Sequence, residues 1–279
     1  MKGSKPIAGR HLGWSQKDLA TKPYAKFWNP DVAPVADHVR DALAQGPVSE
    51  ELLPPLSAAQ DVFFGSGVAL VDGFSLVADG SLRVASDVDM PGVTPTMIDW
   101  WFGWHSDSPE RYKLWHPKAH VHATWAKTPP EGAQGRARYV GYTSIVDEYL
   151  GSTLVRGAIS FVPPETIGVR HDSLKEGGDA TMVCAQLAVP GTPFTVGTLA
   201  HLVRRTSTGS VMRSRFWMGG SHVKGKGPIS AVAAGLGRRM LKASADDGRA
   251  LLVHCTQEMA HLATFLPALF AAFGPETKR

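Results

Sequence analysis

The chain has 279 residues, 43% hydrophobic and 19% charged, the balance of a globular protein that can bury a sizeable core. Its formal net charge of +4 is scattered, and one of the tightest basic clusters, RRMLK at 238–242, is short and lacks interleaved aromatics, so no nucleic-acid surface is expected. No run of about 18 apolar residues occurs, which excludes a hydropathic membrane span.

Residues 1 to about 60 are rich in Pro, Ala, Lys and Asp and show little strict periodicity. MKGSK has no apolar stretch behind it, so no secretory leader is expected and the protein is read as cytoplasmic. The segment 35–43, VADHVRDAL, has the pattern of a short amphipathic helix stopped by Gly46-Pro47. From Gly65 the pattern becomes β-type. The runs SGVALVDG, FSLVADG and SLRVASDV are separated by Asp72-Gly73 and Asp79-Gly80, both strong hairpin signals.

TPTMIDWWFGWHSDSPERYKLWHP follows. Thr94 before Pro95 suits a helix cap and first turn, and Ser108-Pro109-Glu110 repeats that signature for a second short helix, which Pro117 ends. Between about 119 and 219 the chain reads as six successive strands: AHVHATW, RARYVGYTSIVDEY, STLVRGAISFV, TMVCAQLAV, FTVGTLAHLVRRT and SVMRSRFWMGG. Cys184 and Cys255 sit in apolar patterns without C-x-x-C spacing, as small buried hydrophobes of a reducing compartment do. SHVKGKGP lacks the phosphate-loop spacing and reads as a turn. A helical stretch is expected from Ile229 to about Phe273, with a break around Asp246-Asp247-Gly248. Many consecutive strands followed by a long terminal helix indicate an α+β fold, not alternating βαβ units.

Two clusters carry chemistry. LWHPKAHVHATW holds His116, His120 and His122, and beyond Pro117 it reads as a strand with His120, His122 and Thr124 on one face. In the last helix His254 and Glu258 stand four apart, about 40° around the axis and about 6 Å along it. Glu258 lies nearest the edge of the helix's apolar arc, His254 next and His261 furthest. Such a pair supplies two metal ligands without further folding, although H-x-x-x-E pairs are more often solvated contacts. Asp147 and Glu148, within TSIVDEYLG, fall on opposite faces of a strand. A buried acid there would need a partner such as a metal; a solvent-facing one would not. No G-x-S-x-G elbow and no G-x-G-x-x-G turn occurs, so a serine-nucleophile hydrolase and a nicotinamide or flavin domain are both disfavoured.

WWFGWHSDSPERYKLWHPKAHV, VDEYLG and VHCTQEMAHL together resemble the 2,4-diacetylphloroglucinol hydrolases, from roughly Asp99 to the C-terminus. These are zinc-dependent enzymes that cleave the carbon–carbon bond between an aromatic ring and an acyl group, and phloretin hydrolases are their relatives. The resemblance implies a helix-grip domain of the Bet v 1 type over residues 81–279, and a small N-terminal domain over 1–80 that contributes to a homodimer. It implies a Zn2+ site on His120, Glu148, His254 and Glu258, leaving His116 and His122 to solvation or an outer shell. Tyr112 matches a pocket tyrosine and His201 a pocket histidine, the two catalytic candidates. Two positions depart from the family pattern: Ala123 stands where the family has a substrate-touching asparagine, and Phe216 where a second tyrosine is expected. The expected substrate is a small aromatic acyl phenol. The competing expectations are phloretin-type substrates for the same chemistry, and a non-catalytic carrier of an aromatic ligand.

Overall fold

The computed structural model describes residues 3–66, 71–175, 177–192, 194–225, 235 and 242–275. Most of the RRMLK cluster, the first part of the helical stretch expected from Ile229, and residues 67–70 of the first β-type run lie outside the described residues. Short helices α1 (Gln16–Thr21), α2 (Asp37–Gln45) and α3 (Ala59–Phe64) precede the hairpin β1 (Gly73–Leu76) and β2 (Ser81–Pro91). Helices α4 (Pro95–Trp104) and α5 (Pro109–Trp115) follow. Then come β3 (His120–Trp125), β4 (Thr143–Leu150), β5 (Thr153–Val162), β6 (Ala180–Ala188), β7 (Phe194–Arg205), β8 (Gly209–Gly219) and the two-residue β9 (Lys224–Gly225). The last helix, α6, runs Ala245–Phe273.

The strands form one antiparallel sheet in the order β1-β2-β8-β7-β6-β5-β4-β3, with β9 added on β7. Helix α6 packs against β1, β2 and β4, and α4 and α5 pack against it in turn. A curved antiparallel sheet gripping a long C-terminal helix is the helix-grip architecture. No helix among the described residues is long and apolar enough to cross a membrane.

Local chemistry explains the elements that frame the interior. The Thr94 hydroxyl accepts the Met97 N–H and the Ser108 hydroxyl accepts the Arg111 N–H, each with a proline opening the helix. Asp246-Asp247-Gly248, read in the sequence as a break, is the first turn of α6. Ser244 and Asp247 form a reciprocal capping box, and the two acids sit at the positive end of the helix dipole. RARYVGY is not strand: Gly135–Arg138 form a 3₁₀ turn, and β4 begins only at Thr143. Tyr139 explains the difference, because it is fully buried and its hydroxyl donates to Asp99 Oδ1 at 2.7 Å, pulling the backbone out of the sheet.

The main core lies between the sheet and the apolar arc of α6, where Leu252, Cys255, Met259, Leu262, Leu266 and Leu269 are all fully buried. A second cluster brings Val62 and Phe63 of α3 together with Met182, Cys184, Leu202 and Trp217 of the sheet. The N-terminal segment straps the edge of β4 and β5, with the Ser4 N–H on the Leu154 carbonyl at 2.6 Å and Arg10 on Asp147 at 2.7 Å. Gly248 lets α6 approach β1, since a β-carbon there would collide with the Phe74 ring. Gly248→Val is therefore expected to cost about 1–3 kcal/mol, read as a lowered Tm, through overpacking of the helix against the hairpin.

Candidate metal centre

Pro117 restricts His116 to an extended backbone and stops α5. The His116 carbonyl then accepts the N–H groups of Ala119 (3.0 Å) and His120 (2.8 Å), a turn that launches β3 with His120 as its first residue. A β-bulge follows immediately: His120 lies opposite Glu148, and His122 opposite Asp147. Strict alternation would put the two histidines on one face. The bulge inserts one residue and puts them on opposite faces, which corrects the sequence expectation. Glu148 points inward with His120. Asp147 points outward, where Arg10 and Arg156 hold it at 2.7 and 2.9 Å.

From the opposite wall, α6 presents His254 and Glu258 one turn apart, both buried. His120 Nε2 is 3.4 Å from His254 Nε2, 3.8 Å from Glu148 Oε2 and 3.5 Å from Glu258 Oε2. His254 Nε2 is 4.0 Å from Glu148 Oε2 and 3.6 Å from Glu258 Oε2. Ligands about 2.0–2.1 Å from a tetrahedral ion are spaced about 3.3–3.4 Å apart, so this set needs only a slight contraction to close on one. His120, Glu148 and His254 alone form a buried group that can hold a metal ion, their donor atoms all within 4.8 Å of one another.

Surrounding groups fix the donors. His120 Nδ1–H donates to the Tyr112 carbonyl at 3.0 Å. His120 is thereby held as the tautomer whose Nε2 lone pair faces the centre, and His254 turns its own Nε2 toward the same point. The Tyr112 ring stacks on His120 at 3.8 Å, and its hydroxyl donates to Glu148 Oε2 in a short hydrogen bond. Burial lowers the His254 pKa to about 4 and holds that of His120 well below its usual value. Burial also raises both carboxyls, Glu258 further because Glu148 is nearby. Among the described residues, the only cationic-type groups within ion-pair range of the two acids are these two neutral histidines. A divalent cation would supply the charge that the donor set lacks.

The remaining histidines separate clearly. His116 is not solvated: it is buried, stacks on His254 with ring centroids 5.0 Å apart, and its Nδ1 has no partner among the described residues. His261 is also buried, and its Nε2 has no hydrogen-bond partner among the described residues. His122→Ala is expected to keep the bound metal, because the bulge turns His122 out toward Asp147; metal analysis of that variant checks it.

The cluster forms part of the wall of a cavity of about 590 Å³ between sheet and helix, within the range of small-molecule sites. Tyr112, Glu148, His254, Glu258 and His201 all line it. His201 Nδ1 is 2.8 Å from the Ser214 hydroxyl, its ring lies between Phe102 and Phe216, and burial lowers its pKa to about 3. Of the two departures noted in the sequence, Phe216 faces the cavity and Ala123 is buried in the core. Sequence reasoning missed His105, which also lines the cavity. Its Nδ1–H donates to the Trp101 carbonyl at 2.9 Å and its Nε2 accepts from Ser106 at 3.1 Å, so both nitrogens are used internally. The i, i+4 spacing from Trp101 across the end of α4 was the available signal.

The profile of the DAPG hydrolase PhiG domain matches residues 53–271. A 2,4-diacetylphloroglucinol hydrolase of Pseudomonas protegens is 30% identical over 272 residues, covering 93% of this chain and 87% of that protein. A phloretin hydrolase of Eubacterium ramulus is 28% identical over 262 residues, covering 89% of each. Among solved structures, Ms6760 of Mycobacterium smegmatis aligns over 72% of this chain and 99% of its own, at 13% identity and a TM-score of 0.36, too distant a likeness to add to the topology above.

Proposed function

The chain belongs to the DAPG hydrolase family, and on that footing we propose that it hydrolyses the carbon–carbon bond between a phloroglucinol-type ring and an acyl group, using zinc held by His120, Glu148, His254 and Glu258. The observation that carries this reading is the buried two-histidine, two-carboxylate cluster in the wall of an apolar cavity. A passive carrier of aromatic ligands has no use for two largely buried acids whose only cationic-type neighbours among the described residues are neutral histidines.

In the net reaction, water adds across the ring–acyl bond: its hydroxyl goes to the acyl carbon and a proton to the ring carbon, giving a carboxylic acid and the deacylated phenol. Protonation of the ring carbon first makes a dearomatised β-diketone. Attack of water on the acyl carbonyl then expels an enolate that returns to the aromatic phenol. The cation, when bound, supplies Lewis acidity toward an oxygen of substrate or water. Tyr112, its hydroxyl in the wall beside Glu148, orients a phenolic oxygen. His201 is neutral at physiological pH and has Nδ1 engaged by Ser214. Its Nε2 has no hydrogen bond among the described residues and is the atom that moves a proton to or from the substrate.

The test is acetate release from 2,4-diacetylphloroglucinol before chelation, after chelation and after restoring Zn2+. Release that is lost and then regained is expected. Stoichiometric metal without acetate release would shift the substrate to phloretin or another acyl phenol, a reading favoured by the similarity to the phloretin hydrolase. Ligand binding without metal or turnover would leave a carrier. The N-terminal unit, residues 1–80, is proposed to build a homodimer; its exposed Ile7, Leu12 and Leu19 support this, and light scattering on the intact chain checks it.

A further inference from the structure

The cavity is larger than a ring with acetyl groups requires, and its sheet side is apolar. A cavity of about 150 Å³ already accommodates a benzene-sized ring, whereas this one measures about 590 Å³. The sheet register shows where the excess lies. Ile159 of β5 pairs with Leu187 of β6, Leu187 with Gly197 of β7, Gly197 with Met218 of β8, and Met218 with Leu82 of β2. The four side chains form one row across the sheet, and all four line the cavity.

Two residues further along each strand, Phe161, Leu199 and Phe216 form a second lining row, about 7 Å from the first. His201 stands on β7 two residues beyond Leu199, so the floor from His201 to the first row offers a ligand no polar side chain from these two rows. Gly197 leaves its place in the first row to Met218, since a β-carbon there would meet Met218 Cγ at 2.9 Å and the Trp217 carbonyl at 2.7 Å. Past the row, the half-exposed Val189 extends the apolar lining of the sheet, while Arg156, Lys242 and Asp247 also line the cavity.

Resting on the hydrolase reading above, we infer that the substrate is an acylphloroglucinol with a long apolar acyl group, an alkanoyl chain of about six carbons or more. The ring and carbonyl sit among Tyr112, His201 and the metal cluster, and the chain lies along the rows through Leu199 and Leu187. An acetyl group would leave both rows unfilled and forfeit their contacts.

The experiment uses two ligand series on the metal-loaded protein. In the first, kcat/KM is measured for acylphloroglucinols from acetyl to octanoyl, and is expected to rise about fourfold for each methylene. In the second, Kd is measured by calorimetry for 2-alkylphloroglucinols from ethyl to octyl, which have no acyl carbonyl to cleave, and is expected to fall by the same factor. Leu187→Asn should shrink the octanoyl-to-acetyl ratio of kcat/KM at least tenfold. A Kd that does not change with chain length would overturn the inference, whether or not any substrate is cleaved. Chain-dependent Kd without cleavage would instead uphold the inference and sink the hydrolase reading. An octanoyl-to-acetyl ratio unmoved by Leu187→Asn would remove the chain from these rows and overturn its proposed placement.

Discussion

Glu258→Ala is expected to release the metal and lower kcat/KM by about 1,000-fold or more, without unfolding the chain. Glu258 is the acid most nearly centred on the histidines, at 3.5 and 3.6 Å from their Nε2 atoms. It comes from a helix whose register is locked on either side by Cys255, Met259 and Leu262 in the core, so its loss removes a ligand and leaves the scaffold intact. Lewis-acid stabilisation is worth several kcal/mol, which converts to roughly that drop in rate. In the metal-free protein the same carboxyl is buried beside Glu148, and its only cationic-type partners among the described residues are the neutral His120 and His254. The metal-free variant should therefore melt no lower than the metal-free wild type. Parallel elemental analysis, steady-state kinetics and thermal melts check all three parts. Full metal occupancy in the variant would remove Glu258 from the site.

The second large effect is acid lability. Burial holds His105 at about 4 and His201 at about 3, against about 6.5 in an unfolded chain. A histidine whose folded pKa is depressed contributes stability that is whole above the unfolded value and is lost as pH falls toward the folded one. The two residues correspond to roughly 3 and 5 kcal/mol, the same order as the whole stability of a typical domain. Neither residue is a proposed metal ligand, so metal does not rescue them. Glu148 and Glu258 run the other way in metal-free protein: their raised pKa values favour folding at low pH, and that contribution is lost as pH rises through them. They offset the histidines in part. Cooperative unfolding between about pH 6 and 4 is expected by circular dichroism, and a native spectrum retained at pH 3.5 would contradict it.

Much of the fold could be read before any coordinates. The Thr94 and Ser108 caps, the Asp79-Gly80 hairpin and the core strands follow from short-range rules that local sequence carries in full. Two misreadings have a shared cause. RARYVGY has strand-like composition, but the hydrogen bond from Tyr139 to Asp99, 40 residues away, decides its conformation. The β-bulge after His120 is invisible to period-two counting, although it decides which histidine meets Glu148. The candidate ligands were legible because each sits in a distinctive segment. The roles of His116 and His105 were not, because stacking on His254 and bonding to Ser106 depend on packing between separate elements.

The proposed chemistry requires one divalent cation bound by His120, Glu148, His254 and Glu258. Elemental analysis of the purified wild-type chain, equilibrated with Zn2+ and dialysed against metal-free buffer, tests this most directly. About one zinc per chain is predicted, falling to background in His120→Ala and Glu258→Ala and unchanged in His122→Ala. Less than a tenth of an equivalent in the wild type, or full occupancy in both ligand variants, would contradict it.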